Sequence, residues 1–301
     1  MLTKNKTKKE KNLMNNIPKE IIKEIEERNS TSLPQFDGLS PIEMQNLLYR
    51  IFEDGCPVEL NKLSPSEYLE VPILNEAKYI LKIIEDSEEL KLTPRGNLPT
   101  KIVADIYNQG FIKEDHIEAG IVKLRTERDS LSITVTRLIL EIAGIIKKRN
   151  NKLSLTKKGS KIFNDDHKLL KAIFITFGTK FNWGYFDGYG DNIVGQQGFG
   201  FTIHLLSRYG DKLELCSLYS DKYFTAFPDL LNLLEPSLYR PIEEIALDCY
   251  TTRTFERFLN YFGVVDLQSR RRLDDNSKVV KTELFDRLFK INLPKDQITL
   301  I

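Results

Sequence analysis

Residues 140–163 read Leu-Glu-Ile-Ala-Gly-Ile-Ile, a short polar turn, Leu-Ser-Leu-Thr, and then Lys-Lys-Gly-Ser-Lys-Ile-Phe. Residues 259–289 repeat that order: Leu-Asn-Tyr-Phe-Gly-Val-Val, a longer polar turn, Val-Val-Lys-Thr, and Glu-Leu-Phe-Asp-Arg-Leu-Phe. The alignment sets Gly144 against Gly263, Thr156 against Thr282 and Phe163 against Phe289. Each stretch predicts a helix stopped by a left-handed glycine, a two-stranded hairpin, and a helix started by threonine. Asn150-Asn151 suits the tip of the first hairpin, since asparagine tolerates left-handed backbone angles. The expected fold is therefore mainly α with small β-hairpins: tandem winged-helix-like units, of the helix-turn-helix class, around a helical middle region.

Working outward, Leu90-Lys91-Leu92-Thr93-Pro94-Arg95-Gly96 repeats the Leu-x-Leu-Thr-x-x-Gly of 153–159. It lacks a preceding glycine and partner strand, so it is expected as half a unit. The boundaries that follow are a basic tail and short helix at 1–34, a degenerate unit plus a winged-helix-like unit at 35–164, a helical region at 165–240, and a final winged-helix-like unit at 241–301. Ser40-Pro41 is a helix start, with serine capping and proline at the first turn. Helices are expected at Ile73–Ile84, His116–Leu124, Leu131–Ala143, Leu169–Phe177, Phe199–Arg208, Phe224–Leu234, Ile242–Tyr250 and Thr254–Phe262. The helix at 131–143 is apolar on too many sides to read base edges and is expected to be buried.

The 301 residues are 41% hydrophobic and 29% charged, as in an ordinary globular protein, and the net charge of +1 excludes an overall basic coat. Cys56, Cys216 and Cys249 lie far apart without metal-ligand spacing. A reducing cytoplasm is the expected location. No apolar run reaches membrane-span length, and the N-terminal stretch lacks the apolar core of a secretion signal.

Two constellations carry the functional expectations. The last turn is seven residues longer than the first and holds Arg270, Arg271 and Arg272, with Lys278 on the return strand. Guanidinium forks pair with phosphate oxygens, so this wing would contact nucleic acid, with Arg253 and Arg257 extending the stripe along the preceding helix, or would be a solvated hairpin whose arginines pair with Asp274 and Asp275. The second constellation is Phe181-Asn182-Trp183-Gly184-Tyr185-Phe186-Asp187-Gly188-Tyr189, followed by Asp191. Phe181, Trp183, Tyr185, Asp187, Tyr189 and Asp191 would form an interface, a pocket, or an aromatic clamp between helices. No cofactor or metal site is expected: GQQGFG at 195–200 is not dinucleotide spacing, and Asp165-Asp166-His167 reads as a helix start. No catalytic residue is assigned. DNA and another protein are the two partners left open, with a ligand-binding or catalytic pocket at 181–191 as the third reading.

The stretches FDGLSPIEMQNLLY at 36–49, LKLTPRGNLPTK at 90–101, FNWGYFDGY at 181–189 and the RTFERFLNYFG…KTELFDRLF pair resemble an uncharacterised bacterial protein family. Some similar proteins carry an added cysteine-rich metal-binding tail, which Thr299-Leu300-Ile301 does not continue into. The resemblance implies no activity and assigns no functional residue.

Overall fold

The computed structural model describes residues 18–185, 187–268 and 277–292. It is mainly helical, with three small antiparallel sheets. Helix α1 (Lys19–Ser30) has no buried residue. Helix α2 (Pro41–Tyr49) opens on a capping box: the Glu43 carboxylate accepts from Ser40 N at 2.7 Å, and the Ser40 hydroxyl accepts from Glu43 N. Strand β1 (Val58–Leu60) and the one-turn α3 (Pro65–Tyr68) lead into α4 (Pro72–Asp86). Then come β2 (Leu90–Lys91), α5 (Thr100–Asn108), the short α6 (Asp115–Glu118), α7 (Leu131–Ile142), β3 (Ile146–Arg149), β4 (Lys152–Leu155) and α8 (Lys157–Ile162).

The second half repeats this order. Helix α9 (Asp166–Thr179) crosses between the halves and is followed by α10 (Phe199–Tyr209), β5 (Glu214–Leu215), α11 (Cys216–Ala226), α12 (Ile242–Tyr250), β6 (Val265–Gln268), β7 (Lys278–Lys281), α13 (Glu283–Leu288) and β8 (Phe289–Ile291). In the first half the sheet order is β2-β4-β3, and in the second it is β5-β7-β6. Each half thus runs helix, strand, helices, hairpin, and the early strand pairs with the returning strand of the hairpin.

Several expectations change. Leu90-Lys91 is not half a unit: it is the third strand of the first sheet, with Leu90 opposite Leu153. Its counterpart Glu214-Leu215 is too short to show any period in the sequence. The helix expected over 116–124 is only the turn 115–118. The helix expected over 224–234 lies earlier, at 216–226, with a 3-10 turn over 228–233. The two helices expected over 242–262 form one rod, α-helical to Tyr250 and π-wound over Thr251–Leu259. There the Asn260 amide reaches back five residues to Phe255 O. The last described helix stops at Leu288, and Phe289–Ile291 pairs antiparallel with Val58–Leu60.

One hydrophobic core runs through both halves. Phe174 of α9 lies at its centre, with ring centroids 5.1 Å from Phe52, 5.0 Å from Phe258, 4.3 Å from Phe262 and 5.7 Å from Phe289. Helix α7 is buried against α4 and α9, and even Ser132, Thr134, Thr136 and Arg137 are covered. Arg137 is accommodated by ion pairs to Glu127 and Glu141.

Candidate functional site

The aromatic segment meets the π-wound part of the long rod. Arg253 sits at the centre of the contact and is 1% exposed. Its Nε pairs with the Asp187 carboxylate. Its Nη1 donates to Asn192 Oδ1 at 2.6 Å, Asn192 O at 2.9 Å and Val194 O at 3.2 Å, while Nη2 donates to Gly190 O at 2.9 Å. One guanidinium therefore satisfies the carboxylate and the carbonyls of a loop that has little secondary structure of its own. Two of that loop's glycines are close-packed: a Cβ on Gly184 would meet Gly190 O at 2.7 Å, and one on Gly195 would meet Thr254 Oγ1 at 2.8 Å.

Trp183 is 3% exposed; its indole N–H donates to Phe177 O at 2.8 Å, and its ring lies 4.5 Å from that of Phe258. Phe181 is buried beside Phe177, and Tyr185 packs edge-on against Phe181 at 5.7 Å. Tyr185 O accepts from Arg257 Nη1 at 3.0 Å. Tyr189 is half-buried, and burial raises its phenol pKa. The segment is thus a clamp that locks the rod to α9. A crevice between Val135 of α7, Trp183, Tyr185, Arg257 and Tyr261 leaves room for about one water molecule. A wider, open concavity lies on the other side of the segment, beside Tyr49, Asn182, Asp191, Gln196 and Gln197.

The two acidic residues of the segment do not converge. Asp187 points inward to Arg253, whereas Asp191 is exposed and accepts from Asn182 Nδ2 at 2.8 Å. Arg253, expected on the polar face of its helix, is not on the surface: the 187–194 loop covers it. Arg257 is partly buried, and Lys278 is exposed on β7. Arg270, Arg271 and Arg272 lie outside the described residues, as does Phe186.

Two further clusters lie among residues to which no sequence motif assigns a role. One is around Asp37, in the FDGLS turn, which has a left-handed φ of 52°. Its carboxylate accepts from Tyr209 Oη at 2.9 Å and Lys222 Nζ at 2.8 Å, and pairs with Arg208. Its carbonyl is 3.3 Å from His204 Nε2. Burial lowers the His204 pKa, so this histidine sits in the core in its neutral form. The other cluster is the first hairpin and α8. Seven lysines and arginines, and no acidic residue, fall between Lys147 and Lys161. All seven, from Lys147, Lys148, Arg149 and Lys152 to Lys157, Lys158 and Lys161, are exposed. The run itself was the available signal; its neutral surroundings in the whole-chain charge hid it.

A family model described as the Y4jL N-terminal domain matches residues 69–168, about a third of the chain. That stretch begins just before α4 and ends in the first turn of α9, so it spans the whole first unit. The family is uncharacterised. No curated protein and no solved structure matches the chain. Among the described residues, no helix is long and apolar enough to cross a membrane.

Proposed function

We propose that this is a non-enzymatic protein of two winged-helix units that associates with nucleic acid through its wings. The observation that carries the reading is the repeated order of elements: in both halves the early strand pairs with the returning strand of a hairpin that follows a third long helix, counting α4, α5 and α7 in the first half and α10, α11 and the 242–262 rod in the second. In such units the third helix ordinarily enters the major groove. Here α7 is buried along most of its length, with Ile133 and Val135 inside, while the rod turns Arg253 and Phe255 to the interior and exposes the acidic Glu243, Glu244 and Glu256, which a phosphate backbone would repel. Contact would fall to the hairpins and so to phosphates, giving affinity without sequence choice. The residues Arg270, Arg271, Arg272 and Lys278 of the C-terminal wing, and Arg257 on the preceding helix, remain part of this proposal; Arg253 is committed to Asp187.

The test is fluorescence anisotropy of a labelled random duplex titrated with the full chain at low and at moderate salt. Binding that weakens steeply with salt supports the reading, and absence of binding at low salt sinks it.

A protein-interaction role is favoured by a different place than the aromatic segment, whose Trp183 is covered. Leu238 and Tyr239 are 95% and 92% exposed, with Leu233 nearby in sequence and 46% exposed. Large apolar side chains this exposed are the usual anchors of a protein contact. Cross-linking of the chain in its native extract, with and without Leu238→Ser and Tyr239→Ser, would separate this reading from the first.

A further inference from the structure

We propose that the outward face of the first sheet is a binding surface for the phosphate backbone of duplex nucleic acid. This rests on the nucleic-acid reading above and places the contact in the first unit.

The argument starts from register. Leu90 lies opposite Leu153, and Lys91 opposite Lys152; Arg149 in turn lies opposite Lys152 on the other side of β4. Cross-strand partners share a face of the sheet. Leu90, Leu153 and Ile146 are buried, so their face is the core face. The other face then carries Lys91, Lys152 and Arg149 as one row running across all three strands. Lys147, two residues from Arg149 and opposite Ser154, adds a fourth cation. No apolar side chain interrupts this face.

Such a row is costly in the free protein. Strands lie about 4.8 Å apart, and like charges directly opposite one another destabilise a sheet. Among the described residues, the counter-charge paired with this row is Glu89, whose carboxylate lies 2.6 Å from Lys152 Nζ; Lys152's ammonium holds the Glu89 pKa down. Helix α8 continues the pattern, with Lys157 and Lys158 in its first turn, where positive charge opposes the helix dipole. A polyanion removes both penalties on binding. The absence of aromatic or aliphatic anchors on the face argues against a protein hot spot, and against insertion into lipid. The row places four cations on adjacent strands of one face, so more than one can meet a phosphate backbone at once.

The test uses the full chain in three forms: wild type, Lys147→Ala/Arg149→Ala/Lys152→Ala, and Arg270→Ala/Arg271→Ala/Arg272→Ala. Each is titrated with two labelled duplexes of unrelated sequence over a range of salt. The first-sheet variant is expected to bind about tenfold or more weaker at low salt, and its plot of log affinity against log salt should be about 3 shallower. Both duplexes should behave alike. Glu89→Gln frees Lys152 and should bind a few-fold tighter than wild type, a gain that misfolding would not mimic. Thermal midpoints check the fold: the first-sheet variant should melt at or above wild type, because repulsion is relieved. If it melts lower, Lys147→Gln/Lys152→Gln replaces it.

Wild-type affinity in the first-sheet variant, with binding lost in the C-terminal variant, would overturn this site while leaving the nucleic-acid reading standing. No duplex binding by wild type would overturn both. Binding to phosphatidylserine vesicles without binding to duplex would make the face a membrane surface and overturn the proposal.

Discussion

Thr282 Oγ1 donates to the carbonyl of Gly263 at 2.8 Å, as Thr156 Oγ1 donates to Gly144 at 2.7 Å. In both units the threonine that starts the last helix thus closes the hairpin onto the glycine that ended the third helix, and both glycines are left-handed, at φ 67° and 71°. The two threonines are not equally employed. Thr156 Oγ1 also caps its helix by accepting from Gly159 N at 3.0 Å, whereas Thr282 makes no side-chain cap. Thr156→Val should therefore cost about 2 kcal/mol and Thr282→Val about 1 kcal/mol. Thr→Ser at either site should cost less. Denaturant midpoints of the four variants check the order, and equal losses from both valines would contradict it.

Gly159 supplies a second test of the same junction. A Cβ at this position would sit 2.1 Å from Ile145 O, a backbone atom that cannot swing aside. That oxygen already accepts from Thr156 N at 3.0 Å. Gly159→Ala should push α8 away from the hairpin and cost about 1–3 kcal/mol, even though alanine favours helix. A stability equal to or above wild type would show that the helix can shift without loss.

What could be read in the sequence follows from how local each feature is. Glycine, threonine and the apolar pairs between them lie within one hairpin, so their spacing alone defines β3-β4 and β6-β7. The third strands are two residues long and owe their form to partners about 60 residues away, Leu90 to Leu153 and Leu215 to Lys278. Periodicity has nothing to work on there. Arg253 was misplaced for a different reason. A face assigned at 3.6 residues per turn drifts where the helix is π-wound, and the loop that covers Arg253 comes from 59 to 66 positions away. The aromatic density of 181–189 did mark a packed contact, but not that its centre is an ion pair.

That centre makes a sharp prediction. Arg253 and Asp187 both have side chains with no exposure. Removing one member of a buried pair leaves the other uncompensated, which typically costs about 3–5 kcal/mol. Arg253→Met should lose that much and release the 187–194 loop. Arg253→Lys should rescue little, since a single ammonium cannot reach the separate acceptors at Asp187, Gly190, Asn192 and Val194. The emission of Trp183, the only tryptophan, reports the outcome: its spectrum should shift to the red as water reaches the ring. An unshifted spectrum in a folded Arg253→Met protein would mean that the loop holds without its anchor.

The last prediction concerns pH. Glu76 of α4 is 2% exposed and accepts from Ser132 Oγ at 3.2 Å; Glu114 is nearly as buried and accepts from Ser132 N at 2.8 Å. Burial pushes the Glu76 pKa from 4.5 up to about 7, and the nearby Glu114 charge adds to the rise. Between those two pH values the folded protein holds a proton that the unfolded chain has released. Stability therefore falls as pH rises through the window and levels off above it, by about 3 kcal/mol in all. Burial raises the Glu114 pKa too, with the same sign. His167 and His204 work the other way: burial lowers their pKa, so the unfolded chain takes up the extra proton and stability rises with pH. The wild-type curve alone mixes these opposing slopes. The difference between wild type and Glu76→Gln removes them, because glutamine keeps the acceptor for Ser132 and cannot ionise. That difference should grow in favour of the variant as pH rises from 4.5 to about 7 and then stay constant. Denaturant unfolding of both proteins across the window measures it, and parallel curves would mean that Glu76 ionises in the folded protein as freely as in water.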